Sequence, residues 1–218
     1  MKRLFLGVSF AVVSLSAGAQ SISDIAQLAK RLEGTLYVVP HRESADGVLE
    51  SCGLEFSALK SDDHTRKGAP VRVVGSFYLR TLPTAAGLAY MLKLGVFDGL
   101  GKTVAVAPAN AFVRGTNSNA PKKGIRQKSE TEGYAIFVGV VDDEVTAAFA
   151  DIAEKKQLLV GFNRKPGQRD VSFAIDLTVV EAAVDDNGQV SRRRSDEAVN
   201  QFVACSGDLI KAAKMRAH

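Results

Sequence analysis

Residues 51–58 read SCGLEFSA, and their alternation decides the fold class. Cys52, Leu54, Phe56 and Ala58 fall on one side of an extended chain and Ser51, Glu55 and Ser57 on the other, because successive strand side chains point to opposite faces. A period of two kept over this length predicts a strand with one buried and one wet face. Residues 71–80, VRVVGSFYLR, repeat the pattern, with Val71, Val73, Phe77 and Leu79 set against Arg72, Ser76 and Arg80. In residues 88–96, LAYMLKLGV, the apolar face is Leu88, Tyr90, Leu92, Leu94 and Val96. These last two runs are expected to pair antiparallel through the Leu82-Pro83-Thr84 bend.

Outward from this nucleus the period changes. Ser23 is placed to cap a short helix in which Ile25, Leu28 and Leu32 share a face, with Gly34 positioned to end it. Thr103–Val113 is a weaker strand candidate, interrupted by Pro108, which removes a ladder donor and so predicts an edge or a bulge. Residues 114–132 are rich in Asn, Ser, Gly and Lys with few apolar side chains, the composition of a long mobile loop. Tyr134–Val141 is apolar on both faces, as a central strand requires. Asp142 is placed to cap a helix running to Lys156, with Val145, Phe149 and Ile152 on its inner face. Leu158–Phe162 and Val171–Thr178 flank a turn, and Val179–Val184 leads into Asp185-Asp186-Asn187-Gly188, a strong hairpin signal. A last helix is expected from about Ser195, with Val199, Phe202, Val203, Ile210 and Ala213 as its stripe.

The pattern predicts a β-rich α+β protein: a single largely antiparallel sheet or a β-sandwich, with an N-terminal helix, one inserted helix at residues 143–156 and a C-terminal helix. Strands that do not alternate regularly with helices argue against a parallel doubly wound sheet and its nucleotide crevice.

Residues 1–19 carry the marks of a cleavable signal peptide: Lys2 and Arg3, an apolar run from Leu4 to Ser16, and the small residues Ala17-Gly18-Ala19. Cleavage is expected between Ala19 and Gln20, leaving one exported domain at 20–218 that is periplasmic or secreted. The apolar run is shorter than the roughly 20 residues that span a bilayer, so no membrane anchor is expected. Losing Lys2 and Arg3 from the 28 basic residues leaves 26 against 24 acidic ones, a net +2, which weakens any case for nucleic-acid binding. The chain has two cysteines, Cys52 and Cys205, and in an oxidising compartment they are expected to form a disulfide.

Segments that look like chemistry read better as structure. Gly99-Leu100-Gly101-Lys102-Thr103 resembles the end of a phosphate loop, but Val96 stands where its first glycine belongs and a strand rather than a helix follows. Ser57-Ala58-Leu59-Lys60 has the spacing of a serine–lysine pair, yet on a strand residues three apart lie on opposite faces. Asp185, Asn187 and Gly188 imitate part of a calcium loop whose first carboxylate would fall on Ala183. His41, His64 and His218 lack the spaced ligands of a zinc site. The basic runs Arg192-Arg193-Arg194 and Lys122-Lys123 are diluted by acidic neighbours and carry no interleaved aromatics, so they read as solvated faces. No catalytic, metal or cofactor residue is assigned.

The expectation is therefore a non-catalytic, exported binding or envelope assembly-accessory protein, its partner an unknown protein or envelope component, with the 114–132 loop as contact region. Two alternatives are an exported hydrolase assembled only in the fold, for which Glu55 and Asp176 are candidate carboxylates, and a carrier of a lipid or small ligand held between sheet and helices.

Overall fold

The computed structural model describes residues 22–82, 87–116 and 122–216. The three alternating runs become β2 (Val48–Asp62), β3 (Ala69–Thr81) and β4 (Leu88–Phe97), consecutive antiparallel neighbours. Their register places Cys52 opposite Leu79, Leu54 opposite Phe77, Phe77 opposite Leu92 and Leu79 opposite Tyr90. The alternation of each strand thus merges into one continuous apolar layer, and all six of these side chains are at most 1% exposed.

Strand β1 (Gly34–Ala45) pairs with β2 on one flank, while β8 (Tyr134–Val140) and β7 (Ile125–Lys128) extend the sheet beyond β4, giving the order β1-β2-β3-β4-β8-β7. Strand β1 escapes the sequence reading because its outer half is exposed and Pro40 breaks its pattern; an edge strand tolerates both. Strand β7 is the larger departure. Residues 114–132, expected as one loop, hold β6 (Lys122–Lys123) and β7, while 117–121 lie outside the described residues. All four β7 residues are exposed, so no apolar period announces the strand, and its pairing with β8 rests on backbone hydrogen bonds.

A second sheet, ordered β10-β9-β5-β6, faces the first; its other members are β5 (Asn110–Arg114), β9 (Gln157–Asn163) and β10 (Val171–Asp176). The strand expected from Thr103 starts only at Asn110, because Pro108 intervenes, and Val106 makes an isolated bridge to Val96. Strands β11 (Val179–Val184) and β12 (Val190–Arg194) form the expected hairpin, its turn closed by amides of Asn187 and Gln189 donating to Asp185 Oδ1.

Helix α2 (Asp143–Lys155) follows β8 and is capped as expected, with the Val145 amide donating to Asp142 Oδ1 at 3.2 Å. Helix α3 (Glu197–Arg216) packs on β1, β2 and β3, and helix α1 (Ile22–Leu32) touches β2 and β3. Between the large sheet and the two later helices lies a cluster of Phe77, Phe149 and Phe202, with Phe149 stacked on Phe202 at 5.4 Å. The fold is the expected β-rich α+β architecture, mostly antiparallel, with helices near the N-terminus, inserted after β8, and at the C-terminal end.

Candidate functional site

Cys52 and Cys205 meet as a disulfide, with Cα atoms 5.8 Å apart across 153 residues of sequence. The bond fastens α3 to the inner face of β2, and both sulfurs are shielded, at 0% and 6% residue exposure. Beside it a groove of about 320 Å³ opens between β1 and α3, lined by Pro40, His41, Arg42, Gln201, Phe202 and Cys205 among others.

The opposite face of the large sheet carries a different surface. Three of the four tyrosines, Tyr37, Tyr78 and Tyr134, lie on it half-buried, each at an outward register position. Two of them occupy space left by glycines: a Cβ added to Gly53 would stand 2.0 Å from the Tyr78 ring, and one on Gly95 would stand 2.7 Å from the Tyr134 ring. The rings are laid along the sheet as flat, fixed plates. Burial pushes the Tyr78 phenol up to about 12, reinforced by the neighbouring Glu55 charge, so it is a neutral donor across the physiological range. It donates to Glu55 Oε1 at 3.2 Å, and His41 stands edge-on to its ring at 5.2 Å between centroids. Lys93 Nζ lies 5.4 Å from the centre of the Tyr134 ring.

Toward β7 the same face becomes aliphatic. Ile125 is paired with Val138 and Met91 with Val138 across the ladder, and Ile125 and Val140 are 76% and 59% exposed. Strand β7 is the last in the sheet order, so one side of its backbone has no strand neighbour among the described residues. An aromatic centre, an aliphatic flank and an edge strand are therefore contiguous.

The other expected residues are placed apart. Ser57 is 1% exposed and donates its hydroxyl to the Val73 carbonyl at 3.1 Å, while Lys60 reaches the Ser172 carbonyl at 2.9 Å; the two serve different neighbours. Glu55 is half-exposed on the tyrosine face. Asp176 joins Arg194 at 2.6 Å and accepts from the Thr178 amide and hydroxyl. Burial alone would raise its carboxyl, but the Thr178 hydrogen bonds and Arg194 outweigh that and hold it below the ordinary range. That is the opposite of the raised value a carboxyl needs to act as a general acid near neutral pH.

The arginine run is structural in part. Arg192 donates to the carbonyls of Leu32, Glu33 and Thr35, tying the end of α1 to β12, while Arg193 pairs with Glu181. This engagement was not visible in the sequence, because its acceptors are backbone atoms about 160 residues away. Among the described residues no group of three or more His, Cys, Asp or Glu converges as a metal site. No helix among them is long and apolar enough to cross a membrane.

Comparison with known proteins finds no matching family model, no matching curated protein and no matching solved structure.

Proposed function

We propose that this chain is an exported, non-catalytic binding protein of the cell envelope, and that its contact surface is the open face of the large sheet, read together with the β7 edge. The partner is a protein. One observation carries the reading: exposed Ile125 and Val140 share a face with Tyr78 and Tyr134, each held over a glycine, on a sheet whose last strand has one backbone edge without a strand neighbour among the described residues. Tyrosine supplies large amphipathic contact area at small entropic cost, and rings already fixed before binding lose little further freedom. On this face Glu55 accepts from the Tyr78 phenol and Arg80 pairs with Glu50 at 3.1 Å, so acidic and basic groups are interleaved with polar neighbours, which suits a protein surface better than a phosphate backbone. The free edge of β7 offers amides and carbonyls to an added strand. The contact region expected at 114–132 thus enters this reading through β7.

Export rests on the character of residues 1–19 and is supported by the disulfide, which persists in oxidising compartments. Mass spectrometry of protein recovered from its own cells is expected to show an N-terminus at Gln20.

The contact surface is tested by placing a photo-crosslinking side chain at Met91, identifying the captured protein, and titrating it against purified variants. Ile125→Asp and Val39→Asp, the latter opposite Glu55 on β1, remove exposed apolar contacts and are expected to weaken binding about tenfold each. Met215→Asp, on α3, changes a residue as exposed as Ile125 and is expected to leave binding unchanged. Equal affinity of all three variants would refute the assignment.

A further inference from the structure

At one end of the sandwich, three loops converge: 62–69 between β2 and β3, 97–103 after β4, and 163–170 between β9 and β10. Together they hold six basic and four acidic residues. Three of the acids are committed within the protein. Asp62 accepts from the Thr65 hydroxyl and from the amides of His64 and Thr65, Asp170 accepts from Asn163, and Asp98 is held by two arginines. The remaining acid, Asp63, is exposed on the first loop.

A pocket of about 270 Å³ opens between these loops, lined by Thr65, Arg66, Asp98, Arg164, Lys165 and Gln168. Arg66 and Arg164 reach it from different loops, and both bond the same Asp98 oxygen, Oδ1. Two guanidiniums on one carboxylate leave a positive charge over, and Lys165 at the rim adds a second. Arg164 is largely buried, its side chain 17% exposed, with its guanidinium 6.0 Å from the Phe162 ring centre and its Nε hydrogen without an acceptor. Burying a guanidinium beside a second one is costly, and Asp98 by itself satisfies only part of their donor capacity.

We propose that this pocket binds a phosphoryl group. A phosphate monoester carries close to two negative charges and three strong acceptor oxygens, which match two planar guanidinium forks, a lysine and the side-chain amide of Gln168. Asp98 is a positioning residue that holds both forks toward one centre. The glycine-rich 99–103 segment follows directly after it. That segment is the turn that reverses the chain between Val96 and Val106, and its first residue, Gly99, adopts φ +113°. The site is independent of the tyrosine face, so either assignment can fail without the other.

Calorimetry of the purified protein with inorganic phosphate and with glycerol 3-phosphate, paired with amide chemical shifts, tests the proposal. The expected result is saturable binding at low ionic strength, with shifts centred on Thr65, Arg66 and residues 164–168. Arg66→Gln and Lys165→Gln are expected to weaken it about tenfold each, as the loss of a charge-assisted hydrogen bond requires. Both positions keep solvent contact, and thermal melts check that each variant is folded. Flotation with vesicles containing phosphatidic acid separates the sources of the phosphoryl group: retention lost in both variants assigns a lipid headgroup, and absence of retention alongside soluble binding assigns a free ester. No binding of any probe up to about 10 mM, or equal binding by wild type and both variants, overturns the proposal.

Discussion

Replacing both Cys52 and Cys205 with alanine is expected to cost the fold about 5 kcal/mol while leaving it folded. The bond closes a loop with a sequence separation of 153. In the chain-entropy account, releasing a cross-link of that span returns about 17 cal/mol/K to the denatured chain, or about 5 kcal/mol near room temperature. Against this stands the remaining docking of α3, which buries Val199, Phe202 and Leu209 to 2% exposure or less. At about 1.5–3 kcal/mol per side chain, these three contribute about 5–9 kcal/mol, so the helix should stay seated without its staple. Urea unfolding followed by circular dichroism reads the difference: with a slope of about 2–3 kcal/mol/M, the midpoint should fall by about 2 M. Because both sulfurs are shielded, reductant alone should act slowly on the native protein and quickly in partial denaturant. A midpoint shift below about 0.5 M would refute the entropic argument. A separate helical transition at low urea would refute the claim that burial holds α3, and two titratable thiols in native protein would refute the bridge itself.

Two further outcomes follow from the same geometry. Gly75→Ala places a Cβ 2.5 Å from the Lys93 carbonyl and 2.7 Å from Leu94 Cδ1, so backbone and core must both shift; Gly47→Ala meets nothing within 4 Å and bears only the strain of φ +79°. Thermal or urea unfolding should rank Gly75→Ala below Gly47→Ala, with losses of about 3 kcal/mol, the upper end of overpacking, and about 1 kcal/mol respectively, and the reverse order would discredit the packing described for β3. The carboxyls of Asp62, Asp151 and Asp176 would be raised by burial alone, yet hydrogen bonds from Thr65, Thr116 and Thr178 and nearby cations hold all three below the ordinary range. Groups with depressed folded values contribute fully above the unfolded carboxyl range and lose that contribution as pH falls through the folded values, so stability should decline below about pH 4. Urea midpoints measured from about pH 5 to about pH 2 check this, and an Asp151→Asn variant should show a shallower decline; an unchanged slope would remove Asp151 from the account.

The strands were legible because burial writes a period of two into one face, as in Cys52-Leu54-Phe56-Ala58, but the face of β2 expected to be wet keeps only Glu55 exposed and buries Ser51 and Ser57 at 3% and 1%. The Asp142 cap and the Asp185–Gly188 turn were legible for a similar reason, since their hydrogen bonds close within a few residues. Strand β7 was not, because an exposed edge strand is selected by its neighbour's backbone and leaves no apolar trace. The candidate surfaces were hidden for the same kind of reason. Tyr78 belongs with Gly53 and His41, and Arg66 with Asp98 and Arg164, only once register and loop ends bring distant residues together.

The sequence by itself determined the β-rich class, the positions of the helices and the cysteine pair, all properties of local period and composition. The tertiary structure decided which sheet face stays open, which strand is left at the edge, and which of the many arginines are spent on carbonyls and which face a pocket. The open face and the arginine partners depend on contacts across about 25 to 160 residues, from Gly53–Tyr78 to Leu32–Arg192, where no local pattern constrains the partner and only the packed chain selects it.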